Sequence, residues 1–190
     1  MAEHCSSDKS PRQVIDPNDY LIDCFRLARM IWDDGYRPDF LIGLWRGGAP
    51  PGIVIQEFFR WKGHDPYHTA IRTQSLEGVQ SGDGFDIKGF EHVLDVVEAE
   101  HQLLLVDDVY NTGRTTYEVV RYLRQKTRRN APEVRVATVY YRAQQRRFLV
   151  GPDYYLHEVE EPPLLPYRLT QLSEDDARSL SAELHEALYG

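Results

Sequence analysis

Apolar and polar positions along the chain fall into blocks whose period switches between that of a helix and that of a strand. From Asp19 to Trp32, the residues Tyr20, Leu21, Cys24, Leu27, Ala28 and Ile31 recur at helical spacing and form one stripe. Asp16 or Asn18 caps this helix, and Gly35 with Pro38 ends it. Phe40–Trp45 is a short apolar run closed by Arg46-Gly47-Gly48, which reads as a strand and a turn. Gly52–Trp61 returns to the helical period through Ile53, Ile55, Phe58 and Phe59. Pro50 and Pro51 fit its first turn, where no backbone donor is missed. His68–Thr73 reads as a second strand. Gln74–Lys88 is rich in Gly, Ser, Asp and Gln, has no apolar period, and reads as a long loop of the kind that is functional or disordered. Phe90–Val97 is expected to be a strand returning from that loop.

Gln102–Val106 is apolar on both faces, as strands inside a parallel sheet are. A helix over Thr115–Lys126 turns Val119, Val120 and Leu123 inward. Strands follow at Val134–Tyr141 and Asp153–Val159, then a proline-containing loop at Glu160–Pro166. Ser173–Leu188 reads as a terminal helix opened by Ser173 and Asp176 as an approximate capping box. Strands alternating with helices predict an α/β fold with a central, mostly parallel sheet flanked by helices. Residues 1–17 are expected to be a flexible arm and 18–190 a single domain. Ligands in such sheets bind beyond the carboxyl ends of the strands. Two of those ends carry unusual loops, after Trp45 and after Val106.

Composition narrows the function. A formal net charge of −8 opposes a nonspecific grip on nucleic acid or on an anionic membrane. Cys5 and Cys24 give neither a disulfide framework nor zinc spacing, which points to a reducing compartment. Met1–Arg12 is polar and has no apolar leader core, and no run approaches the length of a membrane span, so a cytoplasmic protein is expected. His64, His68, His92, His101 and His157 show no metal spacing. The basic run Arg121, Arg124, Lys126, Arg128 and Arg129 suits the negative end of a helix dipole.

The candidate chemistry is concentrated in Leu103–Thr115. Four apolar residues run into Asp107 and Asp108, and the loop Tyr110, Asn111, Thr112, Gly113, Arg114, Thr115 follows at once. Ionised carboxylates are pure acceptors, and two in succession can receive vicinal hydroxyls. Gly113 lets the backbone turn closely around an anion, Thr112 and Thr115 add hydroxyl donors, and the next helix offers its free N–H groups. A sugar phosphate needs both halves side by side. The loop lacks the Gly-Lys-Ser/Thr ending of a phosphate-loop kinase and the glycine spacing of a dinucleotide fold. In Trp45-Arg46-Gly47-Gly48, two glycines permit close approach to a ligand, and Arg46 suits phosphate oxygens.

On these residues the chain resembles the type I phosphoribosyltransferases. Leu103–Thr115 matches their ribose-phosphate signature, Arg46–Gly52 resembles the glycine loop of the xanthine-guanine branch, and Ile71-Arg72 with Ser75 resembles the start of the mobile loop in the hypoxanthine-guanine branch. The resemblance implies transfer of 5-phosphoribosyl from phosphoribosyl diphosphate to a purine (hypoxanthine, guanine or xanthine) with release of diphosphate. It implies a magnesium ion at Asp107 and Asp108, directly or through water, and those two carboxylates on the ribose hydroxyls. Tyr110 to Thr115 would hold the 5-phosphate, and Arg46, Gly47, Gly48 and Arg72 the diphosphate. A small hood at about 153–170 would place Leu164, Leu165 and Tyr167 near the base, with Arg142 on the strand after the signature helix reaching its 6-oxo group. A homodimer or homotetramer is implied, and Gln74–Lys88 would be a lid. The chain departs from the pattern at Asn111, usually an aspartate acting near a ring nitrogen, at Leu76, usually a tyrosine, and at Arg168, where an acid often stands. The alternative is therefore a regulatory homologue that binds phosphoribosyl diphosphate or a nucleotide with little or no transfer.

Overall fold

The computed structural model describes residues 13–75, 85–148 and 151–190. It divides into two compact units, Leu21–Glu160 and Met1–Tyr20 with Glu161–Gly190. In chain order the elements are α1 (Pro17–Asp33), β1 (Phe40–Trp45), α2 (Ala49–Trp61), β2 (Tyr67–Ser75), β3 (Phe85–Lys88), α3 (Glu91–Leu94), β4 (Gln102–Tyr110), α4 (Arg114–Thr127), β5 (Glu133–Tyr141), β6 (Tyr154–Glu158), α5 (Glu174–Leu180) and α6 (Ala182–Tyr189).

All six strands form one sheet in the order β3-β2-β1-β4-β5-β6. Among the described residues only the β2–β3 pair is antiparallel. The mostly parallel α/β fold read from the sequence is the fold observed. Alternation along the strands divides two cores. Phe40, Ile42, Leu44, Ile71, Leu103, Leu105 and Val136 share one face with Phe90, Val93 and Val97 around α3 and with Val119 and Leu123 of α4. Leu41, Leu104, Val106 and Ala137, at the alternate positions, are equally buried. Here α2 packs on β1 and β4, and the Trp32 ring of α1 meets Phe59 of α2 edge-on at 5.3 Å. Burying each large aliphatic side chain contributes about 1.5–3 kcal/mol.

Several expectations need correction. Phe90–Val97 is not a strand but the turn of α3 and its flanks. Its buried residues, Phe90, Val93 and Val97, are three and four apart, a helical spacing that the apolar content of the run disguises. The far end of the polar loop forms β3, which pairs Lys88 with Arg72 and Phe85 with Ser75. Residues 76–84, including Leu76, lie outside the described residues, as do 1–12 of the expected arm. Val14 pairs with Leu164 by an isolated bridge. The terminal helix is two helices, because Ser181 is extended (φ −161°, ψ 150°) and its side chain accepts from the Leu184 N–H to start α6. The Ser173–Asp176 capping box forms as expected. Leu21, expected in the apolar stripe of α1, is exposed, whereas Asp23 is buried beside Cys24, Leu27 and Ala28. No helix among the described residues is long and apolar enough to cross a membrane.

A polar knot ties β5 and β6 to the segment after α1. Arg135 Nη1 donates to Asp34 Oδ2 at 3.0 Å and to the Tyr154 hydroxyl at 2.6 Å, and that hydroxyl donates to Asp34 at 2.6 Å. Burial first, and then the hydrogen bond to Asp34, push the Tyr154 phenol up from 10.0 to about 12. Burial also raises Tyr36, whose hydroxyl donates to the Leu103 carbonyl at 3.1 Å. A pKa raised by folding gives stability that is complete below the unfolded value and lost as pH climbs to the folded one. Urea unfolding should therefore show stability constant to about pH 10 and falling toward pH 12. Tyr154→Phe should cost about 1 kcal/mol at pH 8 and make that alkaline decline shallower.

Candidate functional site

β1 and β4 are neighbours, with Phe40–Gly43 paired to Leu103–Val106, so their carboxyl ends open side by side. The chain leaves β1 through Arg46-Gly47-Gly48 and enters α2. The Trp45–Arg46 peptide bond is cis. The Gly48 N–H donates to the Leu44 carbonyl at 2.7 Å and turns the chain back sharply. A Cβ on Gly48 would fall on the Val106 carbonyl oxygen, and one on Gly47 would fall inside the Asp108 carboxylate. Glycine at both places is what lets this turn lie down on the end of β4.

β4 continues to Tyr110, four residues past its expected end at Val106. Asp107 and Asp108 are therefore strand residues, and consecutive strand side chains project to opposite faces. Asp108 lies under the glycine turn, 2% exposed, and its Oδ1 accepts from the Val109 N–H at 2.7 Å. Asp107 is half-buried, and its Oδ1 accepts from the Asp108 N–H at 2.9 Å. Its side chain lines a cleft of about 150 Å³ with Val109, Asn111, Thr112, Gly113, Arg114 and Thr115. The buried Thr138 hydroxyl of β5 donates to the Asp108 carbonyl at 3.0 Å and fixes the strand between the two acids' faces.

The loop that closes the cleft is held from below. Gly113, at φ +82°, is the N-cap of α4, a conformation natural to glycine. The Arg114 N–H donates to Thr112 Oγ1 at 3.3 Å, and the Arg147 N–H donates to the Thr112 carbonyl at 3.0 Å. The first turn of α4, with its positive dipole end, opens on the cleft. The Tyr110 ring is 4% exposed, packs edge-on against Tyr141 at 5.7 Å, and puts its hydroxyl under Gly113. Burial raises its pKa. Tyr110 thus lies beneath the loop and is not among the residues that line the cleft.

Arg142, 9% exposed, reaches the same loop: its Nη1 donates to Asn111 Oδ1 at 2.9 Å and its Nε donates to the Glu160 carbonyl at 2.8 Å. Arg46 is exposed in the glycine turn, and Arg72 is exposed on β2 opposite Trp45, where its guanidinium donates to the Gln74 side chain. The leucines expected near a base are buried. Leu164 and Leu165 are 4% and 0% exposed, and Leu164 is packed with Leu172 and Ala177. These leucines are core residues. The Tyr167 hydroxyl is 3.3 Å from that of Tyr20. Sequence reasoning missed Thr138 and Arg147. A hydroxyl inside the apolar run Val134–Tyr141 was a usable signal for the first, but Arg147 acts through its backbone and leaves none.

Asp107 and Asp108 supply hard carboxylate oxygens, the donors magnesium prefers. That ion commonly takes one or two carboxylates and fills its shell with phosphate oxygens and water. Among the described residues no three His, Cys, Asp or Glu side chains gather to hold a metal. The donor set thus fits an ion that arrives with a phosphorylated substrate.

An open parallel sheet with this arrangement at adjoining strand ends is the type I phosphoribosyltransferase fold. The phosphoribosyl transferase domain model matches residues 16–163, and the chain belongs to that family of transferases. Among solved structures, the purine phosphoribosyltransferase of Pyrococcus horikoshii superposes with a TM-score of 0.61 at 21% identity, covering 81% of this chain and 92% of that one. The xanthine-guanine-hypoxanthine phosphoribosyltransferase of Helicobacter pylori gives 0.62 at 14% identity, with 84% and 95% covered. A Neisseria gonorrhoeae protein described as hypothetical, with bound ppGpp, gives 0.62 at 18% identity, with 94% and 99% covered. No curated protein sequence matches. At these identities the likeness is one of fold.

The two turn glycines should respond differently to a methyl group. Gly48→Ala meets backbone and should destabilise the protein by about 1–3 kcal/mol in urea unfolding. Gly47→Ala meets the end of a side chain. It should cost less stability but displace Asp108, which calorimetric titration with magnesium phosphoribosyl diphosphate would read as weakened binding.

Proposed function

We propose that this phosphoribosyltransferase moves 5-phosphoribosyl from phosphoribosyl diphosphate to a 6-oxopurine, hypoxanthine, guanine or xanthine, giving a nucleoside monophosphate and diphosphate. The observation that carries the reading is the contact between the Gly47-Gly48 turn and Asp108 beside the cleft of Asp107 and the Asn111–Thr115 loop. A diphosphate seat and a phosphate seat then flank one strand end. In this reading Thr112, Gly113, Arg114 and Thr115 hold the 5-phosphate with backbone and hydroxyl donors. Arg46, Gly47 and Gly48 hold the diphosphate, with Arg72 beside them. The two aspartates accept the ribose hydroxyls.

As diphosphate departs, the anomeric carbon gains positive character, and fixed carboxylates favour that charge. Asp107 and Asp108 would hold a magnesium ion, directly or through water, and the ion would supply positive charge to offset that of the departing diphosphate. The chain's remaining contribution is positioning and exclusion of water. The likeness to the purine phosphoribosyltransferase of Pyrococcus and the xanthine-guanine-hypoxanthine phosphoribosyltransferase of Helicobacter supports a purine as acceptor. Asn111 and Arg142 are the residues this reading places at the base. Assembly into a dimer or tetramer, and work in the cytoplasm, complete the proposal.

The test mixes protein, magnesium, phosphoribosyl diphosphate and one base at a time, and follows diphosphate release. One 6-oxopurine should support release. Asp107→Asn with Asp108→Asn should lower it by about a hundredfold or more. The amides keep an acceptor oxygen for the Asp108 and Val109 N–H groups, so the melting curve should remain cooperative. Full activity in the double variant refutes the assigned roles. Calorimetric binding of phosphoribosyl diphosphate with no release for any base would make the protein a binder instead.

A further inference from the structure

Behind the loop after β4 lies a second and larger cavity, of about 430 Å³, that the transfer reaction does not use. Residues of α4 form one side of it, and Val134 and Val136 of β5 form another. The two cavities lie back to back. Thr116 lines both, whereas Tyr110, whose hydroxyl sits under Gly113, lines the rear one and not the cleft. The turn that begins α4 is therefore the partition between them. The rear walls are apolar, from the Tyr110 ring to Val120, Val134 and Val136. Tyr117 of α4 extends them by stacking on Phe148, the rings 4.5 Å apart and 23° from parallel. Two guanidinium groups complete the lining. Arg124 and Arg147 are exposed, and among the described residues neither side chain has a hydrogen bond or an ion pair. Their neighbour Arg121, one turn away on α4, is instead paired with Glu118 at 2.8 Å. The one carboxylate among the described lining residues, that of Asp153, is engaged, because its Oδ2 accepts from the Val136 N–H at 2.8 Å.

We propose that this cavity is a second ligand site, for an aromatic anion whose rings lie between α4 and β5 and whose acidic group meets Arg124 and Arg147. The volume is in the range of roughly 300–1,000 Å³ that takes small organic ligands. Each half of the lining sets one half of the ligand. Apolar and aromatic walls reward flat, apolar surface and give a bare inorganic anion nothing to bury against. Two guanidinium groups reward an anion, and a neutral ligand covering them would strip water from two charges without replacing it. The proposal goes beyond the transfer reaction and does not depend on which base, if any, the cleft accepts.

Two fluorescent probes test it on the full chain. One is 8-anilinonaphthalene-1-sulfonate, and the other is N-phenyl-1-naphthylamine, the same molecule without its sulfonate. Fluorescence titration should give a single saturable site that binds the sulfonate about tenfold more tightly than the neutral amine. Saturating magnesium phosphoribosyl diphosphate should leave the sulfonate in place, because the cleft lies across the partition. Arg124→Gln should weaken the sulfonate by about threefold, and Arg124→Gln with Arg147→Gln by about tenfold, with the neutral amine unmoved. Both side chains are exposed, so these variants should fold. Val120→Trp puts an indole into the cavity and should abolish binding of both probes. Tyr117→Ala removes an exposed aromatic wall and should weaken both, which keeps the test open if the tryptophan variant does not melt cooperatively. Displacement of the sulfonate by magnesium phosphoribosyl diphosphate would place the probe in the cleft and overturn the proposal. Absence of binding, equal binding of the two probes, or sulfonate binding that the arginine variants leave intact overturns it as well.

Discussion

The site depends on a steric constraint: a turn without side chains must lie on the end of a neighbouring strand. Gly48 touches the Val106 carbonyl, and Gly47 touches the carboxylate of Asp108. Because β1 and β4 pair in parallel, both turns leave the sheet at the same edge. The chain runs outward from β1 through β2 to β3 on one side and from β4 through β5 to β6 on the other. The connections diverge between β1 and β4, the place where open α/β sheets commonly bind their ligands.

The strand that carries the acids is braced on each side. Thr138 holds the Asp108 carbonyl from β5, Tyr110 lies under Gly113, and the Arg147 backbone ties down Thr112. None of these groups lines the small cleft. Their effect is to keep two carboxylates, one on each face of β4, at fixed positions relative to two different turns. A ligand that engages both acids would have to straddle the strand end and not lie on one face of it.

Much of this was legible because it is local. The apolar runs Phe40–Trp45 and Leu103–Val106, the paired glycines and the loop Asn111–Thr115 each announce themselves within a few residues. Reading failed where local pattern and tertiary burial disagree. Asp107 and Asp108 are poor strand formers, yet pairing with β5 carries β4 through them to Tyr110. Phe85 and Ile87 alternate within a polar stretch too short to register as a strand until β2 supplies its partner. Phe90, Val93 and Val97 form a helical spacing hidden in a generally apolar run. The Arg142–Asn111 contact joins residues 31 apart, and only the fold brings them together. The burial of Leu164 and Leu165 was not legible, because sequence does not reveal which leucines a core takes.

The sheet's borders carry a further consequence. Its outermost strands are short, four residues in β3 and five in β6. In β3 the Lys88 ammonium pairs with Asp86 at 3.4 Å. Brief, charged margins are poor templates for an incoming foreign strand. The long apolar ladders of β1 and β4 are kept in the interior, so the chain can hold so many consecutive leucines and valines without inviting fibril growth from its rims.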